Sequence, residues 1–202
     1  MTGVTLPETL THHLRARRRL SITTAGATPC AVLIPLVLAT IVSADSASDD
    51  YEIVYTLRSE HLPSHKGQVA FPGGKRSGQE QSLETALRET AEEIGIDPAD
   101  VQVIGCIDDV STMAGQFVIT PWIGLLPPGY AFRANPREVA DIFAVPLSAL
   151  ADPRHHAQAT RHWGGNSYEL PVITAGRHEI WGATLQITYN LLAILSELRA
   201  RR

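Results

Sequence analysis

Cysteine is scarce in these 202 residues: Cys30 and Cys106 are the only two, too few for a disulfide framework or a cysteine zinc site. Each lies in an apolar setting (Cys30-Ala-Val-Leu-Ile; Val-Ile-Gly-Cys106-Ile), which predicts buried thiols in a reducing compartment and not redox chemistry. Positive charge is not in excess either. A net charge of −4 excludes a nucleic-acid binder that works through bulk electrostatics. The apolar run from Cys30 to Val42 is about half a membrane span, and Pro35 interrupts it, so it reads as a buried strand. No signal-peptide pattern precedes it, and a cytoplasmic protein without a membrane partner is expected. There is no internal repeat, heptad run or low-complexity tract. With 44% hydrophobic and 19% charged residues, the composition is that of a globular chain long enough to bury one full core.

The elements alternate in type. Pro7 to Leu20 is predicted helical, with Leu10, Leu14 and Leu20 as apolar positions, and Arg15, Arg17, Arg18 and Arg19 suit the dipole at its C-terminal end. Ser21 to Pro29 is a small-residue linker. Strands are predicted at Ala31–Leu38, Tyr51–Arg58, Gln68–Phe71, Val101–Ile107, Phe117–Leu126, Val139–Val145, Tyr168–Ile173 and Glu179–Trp181, with an exposed turn at Ser43–Asp50. Leu147 to Ala151 is one short helical turn. A last helix runs from Thr184 onward with Ile187, Leu191, Ile194, Leu195 and Leu198 as its stripe. This order implies a mixed sheet covered by helices.

The stretch from Gly73 to Ile96 carries the chemistry. Leu83, Leu87, Thr90, Ala91 and Ile94 recur with helical period, so this segment is a helix, with Ser82 as its expected N-cap. Glu89, Glu92 and Glu93 stand at i, i+3 and i+4, gathering their carboxylates on one face, away from the expected core stripe. Such pairs repel by about 0.2–0.5 kcal/mol each in an isolated helix. A hard divalent cation reverses the sign, and oxygen-only ligands suit Mg²⁺ or Mn²⁺. A merely solvated acidic face is the ordinary alternative, and the surrounding spacing argues against it. Gly74-x5-Glu80-x7-Arg88-Glu89-Thr90-x-Glu92-Glu93-x-Gly95-Ile96 resembles the full signature of the Nudix hydrolases, departing only at Thr90, where the pattern has an aliphatic residue.

The resemblance implies an α/β/α sandwich over residues 30–202, with residues 1–29 as a helical segment packed on it. It also implies hydrolysis of a diphosphate linkage, which requires charge neutralisation, an activated water and a positioned leaving group. Glu89 and Glu93 are then the primary metal ligands, Glu92 is a ligand or a base, and Glu80 assists a second metal. Arg88 orients the glutamates. Glu138, after the Asn135-Pro-Arg turn, is a candidate general base from a later loop, with Asp108 and Asp109 weaker ones. Gly73 and Gly74 are expected at a sharp turn whose N–H groups are open to a phosphate.

Upstream, Thr56-Leu-Arg58-Ser59-x3-Pro63-x-His65-x-Gly67-x3-Phe71-Pro72-Gly73-Gly74 resembles the subgroup of these enzymes that cleaves coenzyme A. Val54-Tyr55 replaces a Leu-Leu pair, and Pro63 stands where the subgroup has Arg. This likeness implies a CoA or acyl-CoA substrate, with Arg58 pairing to phosphate and His65 beside it. His61, Lys66, Lys75 and Arg76 add nearby cations, and Trp181 or Trp163 could stack on adenine. ADP-ribose, dinucleotides, nucleoside triphosphates and a non-catalytic nucleotide-sensing role are the alternatives. The residues leave a homodimer open.

Overall fold

Ala31–Val37 is buried without interruption, as a strand covered on both faces must be. In the computed structural model, which describes residues 5–38, 51–112, 115–163 and 165–200, this run lies at the centre of the sheet. In chain order the elements are α1 Leu6–Ala16, β1 Thr28–Leu38, β2 Tyr51–Arg58, β3 Val69–Ala70, β4 Gly73–Lys75, α2 Ser82–Ile94, β5 Gln102–Cys106, β6 Val110–Ser111 and β7 Phe117–Leu125. Then come β8 Val139–Pro146, α3 Leu147–Ala151, β9 His156–Trp163, β10 Asn166–Ala175, β11 His178–Trp181 and α4 Gly182–Ala200. The expected turn at Ser43–Asp50 and the side chain of Trp163 lie outside the described residues.

Among the described residues the main sheet has eight strands, in the order β3-β2-β1-β7-β5, with β4 on β1, β6 on β7 and β8 on β2. β1 and β7 are parallel from Thr28↔Phe117 to Leu36↔Leu125, and the other pairs are antiparallel. Pro35 is tolerated at the centre because β1 changes partner around it: Cys30–Val32 pair with β4 and Leu36–Leu38 pair with β2. A residue with no N–H falls in the fork between them. Pro121 sits at the equivalent break in β7, between its pairings with β6 and β5. Strands β9, β10 and β11 form a separate antiparallel sheet.

Helices cover both faces. Every expected stripe residue of α4 is buried, and with Leu10 of α1 they join Ile34, Leu36, Ile53 and Tyr55 in the larger core. The Tyr55 hydroxyl shares a buried hydrogen bond of 3.0 Å with Thr188 Oγ1. On the other face, Ile94 and Ile96 meet Val37, Val54, Leu126 and Val139 in a smaller core under α2. This is the α/β/α sandwich with a mixed sheet.

Several expectations need correction. α1 ends at Ala16 and not Leu20, because Arg17 is already extended (φ −87°, ψ 148°) and Leu20 is 62% exposed. The arginines are drawn off the helix by the next pair of acids: Arg17 binds Asp108 at 2.5 Å and Arg19 binds Asp109 at 2.7 Å. Gln81, not Ser82, is the N-cap of α2. Its N–H donates to Glu84 at 2.7 Å, while Ser82 accepts from the Trp122 indole at 3.1 Å. The buried face of α2 is also rotated from the expected stripe. It consists of Thr85, Ala86, Thr90, Glu93 and Ile94, of which Thr90 and Ile94 belong to that stripe, while Leu83, Leu87 and Ala91 are only partly buried.

Candidate active site

Glu93 is the deepest of the motif acids, only 3% exposed, on the face of α2 that meets the sheet. The expectation that it stands away from the core is therefore wrong. Two contacts make its burial tolerable. The Gly73 N–H donates to Oε2 at 3.1 Å, and Arg58 Nη1 approaches Oε1 at 3.9 Å from the end of β2. Burial still dominates and pushes the carboxyl up to about 7, with the charges of Glu138 and Glu89 adding to the rise.

The glycines are corrected too. Gly73–Lys75 is not an open phosphate turn but a short strand paired with Cys30–Val32, and the Gly73 N–H is already given to Glu93. Both glycines are needed for close approach. A Cβ on Gly73 would lie 2.4 Å from the Ala31 carbonyl oxygen, and one on Gly74 would lie 2.4 Å from the Glu89 carboxylate.

Arg88 distributes its five donors among the remaining acids. It grips Glu80 through Nε at 2.7 Å and Nη2 at 3.2 Å, reaches Glu89 at 2.9 Å and Glu92 at 3.2 Å through Nη1, and touches the Lys75 carbonyl at 3.4 Å. Glu80 also accepts from the Ser77 N–H and the Thr85 hydroxyl. Its hydrogen bonds, that from Arg88 foremost, hold its carboxyl down at about 2. Glu89 moves the other way: partial burial raises it, Arg88 opposes, and Glu92 and Glu138 push it further up. Glu92 has a 53% exposed side chain and lies on the rim.

Glu138 stands across from this helix, near enough for its charge to act on both Glu89 and Glu93. Its carbonyl accepts from the Ser59 N–H at 2.8 Å, so the loop after Arg58 and the loop carrying Glu138 are joined. The structure thus brings together Arg58, Gly73, Gly74, Glu80, Arg88, Glu89, Glu93 and Glu138. It leaves others apart. His65 is exposed on the 59–67 loop at φ +56°, with Nδ1 3.0 Å from Gln68 Oε1. Lys75 lies over the Phe117 ring, and Trp181 is covered by the Arg161 guanidinium. Asp108 and Asp109 are committed to the N-terminal arm. Asn135 and Thr85 are contacts that sequence reasoning missed, although the Asn-Pro turn was a signal for the first.

Among the described residues, no three His, Cys, Asp or Glu side chains are placed close enough together to enclose an ion. The donor chemistry nonetheless suits a hard dication. The charged groups offered are carboxylates, and the charge of Glu138 raises the affinity of both Glu89 and Glu93 for positive charge, here a proton, as that of Glu89 does for Glu93.

A mixed-sheet sandwich with a glutamate helix locked beneath a glycine strand defines a class, and the comparisons name it. The NUDIX domain family matches residues 38–163, and the chain belongs to the Nudix hydrolase family. Its activity is pyrophosphohydrolysis, generally with divalent ions such as Mg²⁺ or Mn²⁺. An uncharacterized Nudix hydrolase, NudL, of Photorhabdus laumondii is 42% identical over 142 residues, 69% of this chain and 74% of its own. NudL of Yersinia enterocolitica is 37% identical over 162 residues, 80% and 78% of the two chains. Among solved structures, a MutT/nudix family protein from Enterococcus faecalis superposes with a TM-score of 0.56 at 15% identity, over 96% of this chain and 70% of that one. A mutT/nudix family protein from Listeria innocua gives 0.55 at 15% identity, over 89% and 100%. At such identities these structures share the fold. No helix among the described residues is long and apolar enough to cross a membrane.

Proposed function

We propose that this protein hydrolyses the diphosphate linkage of coenzyme A or an acyl-CoA, releasing 3′,5′-ADP and 4′-phosphopantetheine or its acyl form. The observation that carries this reading is Arg58. It ends β2 inside the CoA-like pattern, its head lies 3.9 Å from Glu93, and its Nε is buried without a partner among the described residues. A guanidinium with a spare donor beside the acidic centre is suited to one phosphate of a diphosphate.

Glu89 and Glu93 would hold Mg²⁺ or Mn²⁺, with Glu92 at the rim as a further ligand and Glu80 supporting a second ion through its link to Arg88. When bound, such an ion offsets the charge that develops on the phosphoryl oxygens and acidifies water. The residues do the rest. Arg88 holds Glu80, Glu89 and Glu92 in fixed relation, so little reorganisation is needed. Glu138 takes the proton from the attacking water, with Glu92 as the other candidate for that task. Gly73 keeps Glu93 in place, Gly74 gives Glu89 room, and His65 lies on the loop that would meet the nucleotide. Pro63 is exposed on that same loop, where the subgroup carries Arg, so the remaining phosphate must be met by other cations.

Incubation with CoA, acetyl-CoA, ADP-ribose, a diadenosine polyphosphate and a nucleoside triphosphate, each with Mg²⁺ or Mn²⁺, tests the reading. Release of 3′,5′-ADP from the CoA substrates with the highest kcat/KM is expected. No adenine nucleotide from CoA at either metal would sink the substrate assignment, while cleavage of another compound would leave the diphosphate chemistry standing.

A further inference from the structure

Asn135 touches both walls of the acidic centre. Its backbone N–H donates to the Glu93 carbonyl at 2.8 Å, beside the Arg133 N–H bond to Ile94 at 2.9 Å, so the 133–139 loop is fastened to the end of α2. Its own carbonyl accepts from the N–H groups of Glu138 at 3.0 Å and Val139 at 2.8 Å. The side chain is used at both ends. Oδ1 accepts from the Arg137 N–H at 3.2 Å, which fixes which way the amide faces, and Nδ2 then donates to Glu138 Oε1 at 3.4 Å. Asn, Asp and Ser can all accept the Arg137 bond in such a turn. A serine hydroxyl would have to serve both bonds through one oxygen, whereas the amide accepts through one atom and donates to the carboxylate through another.

On the reading that Glu138 is the general base, we infer that Asn135 is a positioning residue that holds the Glu138 carboxylate toward Glu89 and Glu93. Glu138 needs such a tether. Its charge acts against those of Glu89 and Glu93, and an untethered glutamate would rotate toward solvent, gaining both hydration and rotamer freedom. The tether is economical in geometry: one residue registers the base against the backbone of Glu93 and also sets its side chain.

The test is a double-mutant cycle on the full chain, using whichever diphosphate compound of the panel above is cleaved fastest, at saturating Mg²⁺. Glu138→Gln is expected to lower kcat about a hundredfold or more. Asn135→Asp keeps the Arg137 acceptor but sets a carboxylate against Glu138. It is expected to lower kcat about ten- to a hundredfold with KM within about twofold. In the Glu138→Gln background the same change should cost no further turnover. Asn135→Ser, which also keeps the turn but has one short oxygen for both bonds, should lower kcat in the same direction by a smaller factor and decides the matter if that variant folds poorly. Wild-type kcat in both Asn135 variants, a loss confined to KM, or full additivity with Glu138→Gln would overturn the role of Asn135 alone. Wild-type turnover in Glu138→Gln would overturn the base assignment beneath it.

Discussion

The N–H of Gly73 donates to Oε2 of Glu93 across 3.1 Å, binding the glycine strand to the motif helix through a carboxylate that is almost fully buried. The glycine therefore does more than allow a turn. It supplies one of the two contacts by which a negative charge survives between helix and sheet, and Arg58 supplies the other. An ion held at this carboxylate would meet it already oriented.

This arrangement sets a pH dependence for the metal-free protein. The Glu93 carboxyl titrates at about 7 in the fold against 4.5 ordinarily. Between those values the folded state keeps a proton that the unfolded chain has released, so stability falls as pH rises through this window and levels off above it. The loss is on the order of 3 kcal/mol. Glu93→Gln keeps an acceptor for Gly73 and removes the charge, so its stability should not show this decline, while turnover nearly vanishes. Urea denaturation in EDTA at pH 4.5, 6 and 8 makes the comparison. Equal pH slopes in the two proteins would refute the account.

Gly74 predicts a sharper loss than a glycine-to-alanine change usually gives. The added Cβ would stand 2.4 Å from the Glu89 carboxylate, which must swing aside. Because the obstacle is a side chain, the fold should tolerate Gly74→Ala within about 1 kcal/mol. Turnover should fall about tenfold or more and the Mg²⁺ requirement should rise, since a displaced glutamate loses its geometry. Unchanged activity would mean that Glu89 is not needed where it stands.

Arg88→Lys should fail to replace arginine. A single ammonium cannot bind both oxygens of Glu80 and also reach Glu89 and Glu92, as the guanidinium does. Metal affinity or turnover should drop about ten- to a hundredfold. Wild-type protein should gain thermal stability on saturation with Mg²⁺ or Mn²⁺ and lose it with EDTA, and the variant should need more metal for the same gain. Identical metal-dependent shifts in Tm would show that Arg88 does not organise the ligands.

Much of this site was legible because its chemistry lies in one helix with fixed spacing, and the long apolar strands β1, β2 and β7 declare themselves by their composition. The errors share a cause. Period marked Thr90 and Ile94 of α2 as core and both are buried, but it placed Leu83, Leu87 and Ala91 with them, whereas Thr85, Ala86 and Glu93 complete the buried face. Sequence reading treats a glutamate as solvated and cannot see a glycine N–H twenty positions away that pairs with it. For the same reason β4, a strand of Gly-Gly-Lys, and polar β9 gave no β-signal of their own, since pairing partners and not side chains create them. Asp108 and Asp109 looked like loop acids open to catalysis because their partners, Arg17 and Arg19, are about ninety residues distant.

Those two acids give the last prediction. Asp109 has a 5% exposed side chain whose Oδ1 accepts from Arg19 at 2.7 Å and Thr120 at 2.9 Å, and whose Oδ2 accepts from the Ile22 N–H at 2.9 Å. Asp108 adds the Leu20 N–H at 2.7 Å. Asp109→Ala strips the partner from a backbone N–H, a hydroxyl and a half-buried guanidinium at once, and should destabilise the protein by about 2–3 kcal/mol. Arg19→Ala should cost about 1 kcal/mol, because that guanidinium is partly in water and the other two bonds to Asp109 remain. The two losses should be less than additive, as both remove the same pair. At a temperature where the fold is intact, kcat should stay within about twofold of wild type, since no atom of the glutamate centre touches Asp109. A large fall in kcat at unchanged stability would place Asp109 in the chemistry and not in the latch.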